Sequence, residues 1–134
     1  MKNITTALYT LFSAAPANTF YTAVGGHLYD TQAPEDATFP YAVYQVIVNT
    51  NPMDTFVESM QEVLIQFTLV SDASSSGEVK DMLTYLKALY NGATFSITSN
   101  TLVYMRWEND PVFEKDDDGD WIIISEFRLL AVAS

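Results

Sequence analysis

Residues 62–92, EVLIQFTLVSDASSSGEVKDMLTYLKALYNG, hold both of the periodicities that a mixed fold requires. Over Glu62 to Ser71, Val63, Ile65, Phe67 and Leu69 alternate with Leu64, Gln66, Thr68 and Val70. A period of two is that of a strand, and the first set predicts its core face. The second set is half apolar, so a neighbour is expected to cover it in place of water. Ser75-Ser76-Gly77-Glu78 then predicts a helix start through a capping box. The Ser75 hydroxyl would serve the backbone N–H near Glu78, and the Glu78 carboxylate would reach back. From there Val79, Met82, Leu83, Leu86, Leu89 and Tyr90 recur three and four residues apart, leaving Lys80, Asp81, Thr84 and Lys87 on the wet side. Asn91-Gly92 supplies the left-handed residue that commonly ends a helix.

Upstream, Tyr41 to Thr50 (YAVYQVIVNT) is rich in β-branched and aromatic residues and bounded by Pro40 and Asn51-Pro52, which predicts a second strand. Nearer the N-terminus, from Asn3 on, Ile4, Ala7, Leu8, Leu11, Phe12 and Ala15 put one apolar stripe on a short helix ending before Pro16. The stretch from there to Pro40 is punctuated by Gly25-Gly26, Asp30, Pro34, Glu35 and Asp36. It reads as a long connection with room for a short extended piece around His27 to Tyr29. Downstream, a short strand is expected near Thr94 to Thr98, a turn at Ser99-Asn100, a strand over Leu102 to Glu108 and a last strand from Trp121 to Val132. Asp116-Asp117-Asp118-Gly119-Asp120 joins the last two. The order predicts one α+β domain over residues 1–134, a mostly antiparallel sheet with two helices packed on one face.

The last strand raises a question of coverage. Trp121, Ile123, Phe127, Leu129 and Ala131 fall on one face; Ile122, Ile124, Leu130 and Val132 fall on the other, interrupted only by Glu126 and Arg128. Two short helices cover one face. Either the second face or an edge meets another protein, or the strand is buried centrally within a monomer.

Composition narrows the function classes. With Lys+Arg 6 against Asp+Glu 17, the 134-residue chain carries a formal charge of −11. Binding along a nucleic-acid backbone needs clustered cations, which this sequence lacks. The absence of cysteine removes disulfides, thiolate metal sites and cysteine nucleophiles. Thr5, Thr6 and Thr10 interrupt the apolar content of the N-terminal segment, so a signal peptide is not expected. The longest apolar run, Leu129 to Ala133, is far short of the roughly 20 residues of a membrane helix, so a soluble chain is expected.

No catalytic, cofactor or metal site is expected. Read as a calcium loop from Glu114, the acidic run puts Asp116, Asp118 and Gly119 at fitting early positions. Ser125 then stands where a bidentate carboxylate is required, and strand-forming residues follow. A solvated turn is the expectation. His27, the one histidine, lies beside Gly25-Gly26 in no nucleophile elbow and reads as a hydrogen-bonded loop residue. Carboxylate pairs such as Glu58 with Glu62, or Glu108 with Asp110, arise by chance in so acidic a chain. The excursion from Asn49 to Met60 is longer than two adjoining strands need. Its Met53, Phe56, Val57 and Met60 are the candidate interface residues, with Phe56 the anchor.

The segments GGHLYDTQAPEDATFPYAVYQVI, EVLIQFTLVSDASSSGEVKDMLTYLKALYNGATFSI and YMRWENDPVFEKDDDGDWIIISEFRLL, in this order, resemble the tail terminator family of long-tailed bacteriophages, also called tail completion or tail-to-head joining proteins. The resemblance spans nearly the whole chain. It implies a tail-terminator-like α+β virion protein, assembled in the host cytoplasm as a homohexameric ring on the tail tube protein. Such a ring ends tube growth and receives the head-tail connector proteins. Genomic DNA would pass its acidic lumen without specific binding. The alternatives are another neck or tail component (a head-closure or adaptor protein, or a tail tube subunit) and a small acidic enzyme using His27.

Overall fold

The computed structural model describes residues 2–14, 19–50, 60–98, 100–108, 112–115 and 119–133. Along the chain come α1 (Lys2–Phe12), α2 (Thr19–Ala23), β1 (Leu28–Asp30), β2 (Tyr41–Thr50), β3 (Met60–Ser71), α3 (Gly77–Tyr90), β4 (Asn100–Trp107), β5 (Val112–Lys115) and β6 (Trp121–Ala133). The strands form one sheet in the order β1-β2-β3-β6-β4, and β5 pairs with the first residues of β6 beyond the end of β4. All pairings are antiparallel except that of β1 with β2. This is the expected α+β fold.

The period-two pattern sorts the sheet into two faces. Val63, Ile65, Phe67 and Leu69 of β3 and Ile123, Phe127, Leu129 and Ala131 of β6 are fully or almost fully buried beneath the helices. Phe67 is the hub, its ring 5.1 Å from Tyr90, 5.4 Å from Phe127 and 6.2 Å from Tyr44 between centroids. Each such side chain contributes roughly 1.5–3 kcal/mol by leaving water. Helix α3 lays Val79, Met82, Leu86 and Tyr90 on this layer. Helix α1 inserts Ile4, Ala7, Leu8 and Phe12, and two tyrosines tie it down. The buried Tyr90 hydroxyl donates to the Leu8 carbonyl at 2.8 Å, and that of Tyr44 to the Thr5 carbonyl at 3.4 Å.

Several local expectations need correction. A third helix, α2, of five residues, stands where a connection was expected. It is too short to show periodicity and is held by tertiary contact, since Phe20 is buried with its ring 5.7 Å from Phe12. The capping box does not form. Ser76 is the N-cap residue without a side-chain bond, while the Glu78 carboxylate accepts from the Ser71 hydroxyl at 2.6 Å. A partner at the end of β3 competes successfully with the helix's own backbone. The strand near Thr94 to Thr98 reduces to an isolated bridge at Ile97, and the strand β5 was not foreseen, so the acidic run joins β5 to β6. Asp116 to Asp118 lie outside the described residues. The expected helix end is present: Gly92 has φ 74° and donates its N–H to the Met105 carbonyl at 2.7 Å.

Candidate functional site

With the helices on one side, the opposite face of the sheet carries no covering element among the described residues. Its rows follow from the register. Val70 stands between Tyr41 and Ile122, and Thr68 between Val43 and Ile124; Gln66 faces Glu126. Arg128 stands beside Leu64 of β3 and Arg106 of β4, and Leu130 beside Tyr104. This face divides into an apolar end and a charged middle. Most of its side chains are half-buried by their neighbours alone, and Ile47 and Val103, each at a β-bulge, are 41% and 53% exposed.

In the charged middle, Arg128 reaches carboxylates from two different elements. Its guanidinium bonds Glu62 on β3 and, at 2.9–3.0 Å, Glu108 just past β4. All three side chains keep about a quarter of their surface in water. The hydrogen bond from Arg128 holds the Glu108 carboxyl below its ordinary range, and that same bond raises the guanidinium further. The cluster therefore staples β3, β6 and β4 together without leaving a net positive charge. The convergence of Glu62 and Glu108 on Arg128 was not legible in the sequence, where the two stood only in chance pairs with Glu58 and Asp110. Glu58 and Asp110 lie outside the described residues.

The other cations with described side chains are also engaged. Lys87 Nζ lies 3.9 Å from the Trp107 ring centroid, Arg106 4.6 Å from that of Tyr104, Lys115 4.9 Å from that of Trp121 and Lys80 5.4 Å from that of Phe113. A ring quadrupole attracts each of them. Lys87, expected on the wet side, is half-buried because Trp107 extends under it.

At the apolar end lies a groove of about 370 Å³, walled on one side by Thr31, Gln32 and Ala33 and floored by Tyr41, Val43 and Ile122. A smaller recess of about 210 Å³ opens between α2 and α3 at Phe20, Tyr85 and Leu89. Neither gathers the converging polar groups of an acid–base site. His27 departs from its expected hydrogen-bonded state: its Nδ1 is buried with no partner among the described residues, and its ring lies parallel to Tyr29 at 6.4 Å. Among the described residues no group of His, Asp and Glu is placed to hold a metal ion, and no helix is long and apolar enough to cross a membrane. Of the candidate interface residues, Met53, Phe56 and Val57 lie outside the described residues. Met60 is no longer part of an excursion, since it opens β3 opposite Val132, where the ladder with β6 extends the strand.

The fold is shared with solved structures of low sequence identity. A chain described as from the virion of a native gene transfer agent particle superposes with a TM-score of 0.77 at 15% identity, over 96% of this chain and 93% of that one. A second solved chain gives 0.62 at 11% identity, over 99% and 95%. No protein of curated function matches. The family described as tail completion protein gp17 matches residues 6–130, from within α1 to near the end of β6. The chain therefore belongs to the tail completion protein gp17 family and is a structural component of the phage tail.

Proposed function

We propose that the protein assembles as a ring, hexameric by the family resemblance, which caps the tail tube, ends its elongation and offers the surface on which the head-tail connector docks. The observation that carries this reading is the uncovered face of the sheet. A tail structural protein with Tyr41, Val43, Ile122 and Leu130 half-exposed on a rigid ladder has a surface suited to contact with other tail proteins. The chain acts as one domain over residues 1–134, and the segment with Met53, Phe56 and Val57 reaches a neighbouring subunit or the tail tube, with Phe56 as its anchor. Genomic DNA passes the lumen without being held. A charge of −11, with the described cations engaged in ion pairs or over rings, gives the phosphate backbone little to bind.

Negative-stain imaging of the purified protein, alone and mixed with tail tubes, tests the reading. Rings seated on tube ends support it; a seat on the head side alone would assign the protein to the connector instead. Phe56→Asp is expected to leave the circular dichroism spectrum unchanged while abolishing rings or tube capping. If the variant still caps tubes and yields tails of normal length, the contact does not pass through Phe56.

A further inference from the structure

Asn91-Gly92, which ends α3, is the one Asn-Gly pair in the chain, and the pair carries a chemistry of its own. An asparagine side-chain amide is open to attack by the main-chain nitrogen of the next residue, and glycine, with no Cβ, leaves that nitrogen unhindered. Both residues are exposed, and a Cβ placed on Gly92 would meet nothing within 4 Å, so water and base reach the junction.

The fold nevertheless holds the pair away from this reaction. The Gly92 N–H, which would have to lose its proton to become the nucleophile, donates to the Met105 carbonyl at 2.7 Å. Asn91 Oδ1 accepts the Trp107 N–H at 2.9 Å, which anchors the side-chain amide on β4. That strand is itself held in place, since the Trp107 indole N–H donates to the buried Ser125 hydroxyl at 2.8 Å. Asn91 has φ −70° and ψ 116°, an extended conformation. Closure of a succinimide ring requires a strongly negative ψ, which brings the Gly92 nitrogen over Cβ of Asn91. Two hydrogen bonds that must open together lower the reactive population by roughly ten- to a hundredfold.

We propose that Asn91 is a spontaneous modification site kept closed by the fold, converting to aspartate and isoaspartate only when the junction of α3 with β4 opens and releases both hydrogen bonds. In the open junction the Gly92 nitrogen gives its proton to solvent base and bonds to Asn91 Cγ. The Cγ–Nδ2 bond breaks, and Nδ2 leaves as ammonia with a proton from water. Water then adds to either carbonyl of the succinimide. Breaking the bond between nitrogen and Cγ yields aspartate, and breaking that to the main-chain carbonyl carbon yields isoaspartate. One water is consumed, one ammonia is released, and nothing is oxidised or reduced. Aspartate keeps an acceptor for the Trp107 N–H. Isoaspartate inserts a methylene into the main chain between the two anchored groups, so the bonds to Trp107 and Met105 lose their shared geometry and the junction is unlatched.

The full chain, native and unfolded in guanidinium, is aged in mildly alkaline buffer and then digested with trypsin. Cleavage after Lys87 and Arg106 releases a peptide that holds both Asn91 and Asn100, and Asn100, followed by Thr101, is an internal reference. Fragmentation is expected to place the deamidation mass shift at Asn91 in the unfolded chain, at least tenfold faster than in the native protein and than at Asn100. Gly92→Ala should slow the reaction at least tenfold in the unfolded chain, where any effect on folding does not enter. In the native protein, hydrogen exchange of the Gly92 and Trp107 amides should run at least tenfold below the rate of the unfolded chain. Equal deamidation of the native and unfolded chains, exchange of either amide at the unfolded rate, or a Gly92→Ala chain that reacts as fast as the parent would each overturn the proposal.

Discussion

Leu86→Ala tests the layer that holds the open face in shape. Leu86 is 0% exposed at the centre of α3, whose contacts run to β3, β6 and β4. Removing a buried leucine side chain loses its transfer free energy and leaves a cavity, costing about 2–5 kcal/mol, with the upper half expected where rigid strands prevent collapse. With unfolding entropy of roughly 2.1 cal/mol/K per residue, a chain of this size loses about 3.5 °C for each kcal/mol. A drop of about 12–17 °C in Tm is therefore expected by calorimetry or circular dichroism. The neighbouring Lys87→Ala removes no core volume. It loses the attraction between Nζ and the Trp107 ring, worth about 0.5–1 kcal/mol at a partly exposed site, hence about 2–4 °C. Equal midpoints for the two variants would refute the packing of α3. An unchanged midpoint for Lys87→Ala would refute the cation–ring contact while leaving the packing intact.

Two further outcomes concern ionisation. The Glu108 carboxyl is held below its reference value of 4.5 by Arg128, so its contribution to stability is fully present above that value and is lost as pH falls through the lower folded-state value. The difference in Tm between the native protein and Arg128→Gln should accordingly narrow on acidification below about pH 4.5, and a gap independent of pH would refute the assignment. Burial pushes Tyr44 up to about 12 and Tyr90 beyond that, so both favour the folded state below pH 10, an advantage lost as pH rises through the folded-state values. Absorbance titration at 295 nm of the native protein, Tyr44→Phe and Tyr90→Phe should place the ionisation of these two hydroxyls well above pH 10; amplitude lost near pH 10 in either variant would contradict the buried placement.

Where the sequence was informative, a repeating pattern carried the information. Strand β2 ends where its β-branched run ends, and the two faces of β6 separate as its alternation predicts. Helix α3 stops at Asn91-Gly92 because a left-handed residue is needed there and glycine supplies it without a steric cost. Patterns failed where a distant partner decided the outcome. Ser75 to Glu78 satisfies the capping motif, yet Glu78 is drawn to Ser71. Phe20 and its short helix are defined by Phe12, and β5 exists because the start of β6 offers a free edge for four residues.

The sequence by itself determined the fold class, the separation of core from wet positions, the absence of cysteine, and the resemblance that the family match sustains. These follow from periodicity and composition, which are properties of neighbouring residues and of sums. The tertiary structure alone decided that Glu62 and Glu108 converge on Arg128 and that Lys80, Lys87 and Lys115 turn onto aromatic rings. It alone decided that a groove floored by Tyr41, Val43 and Ile122 is left open on the face away from the helices. Cross-strand register is a long-range quantity: Glu62 and Arg128 meet only because β3 and β6 pair antiparallel with Leu64 opposite Arg128, and no local pattern encodes that alignment.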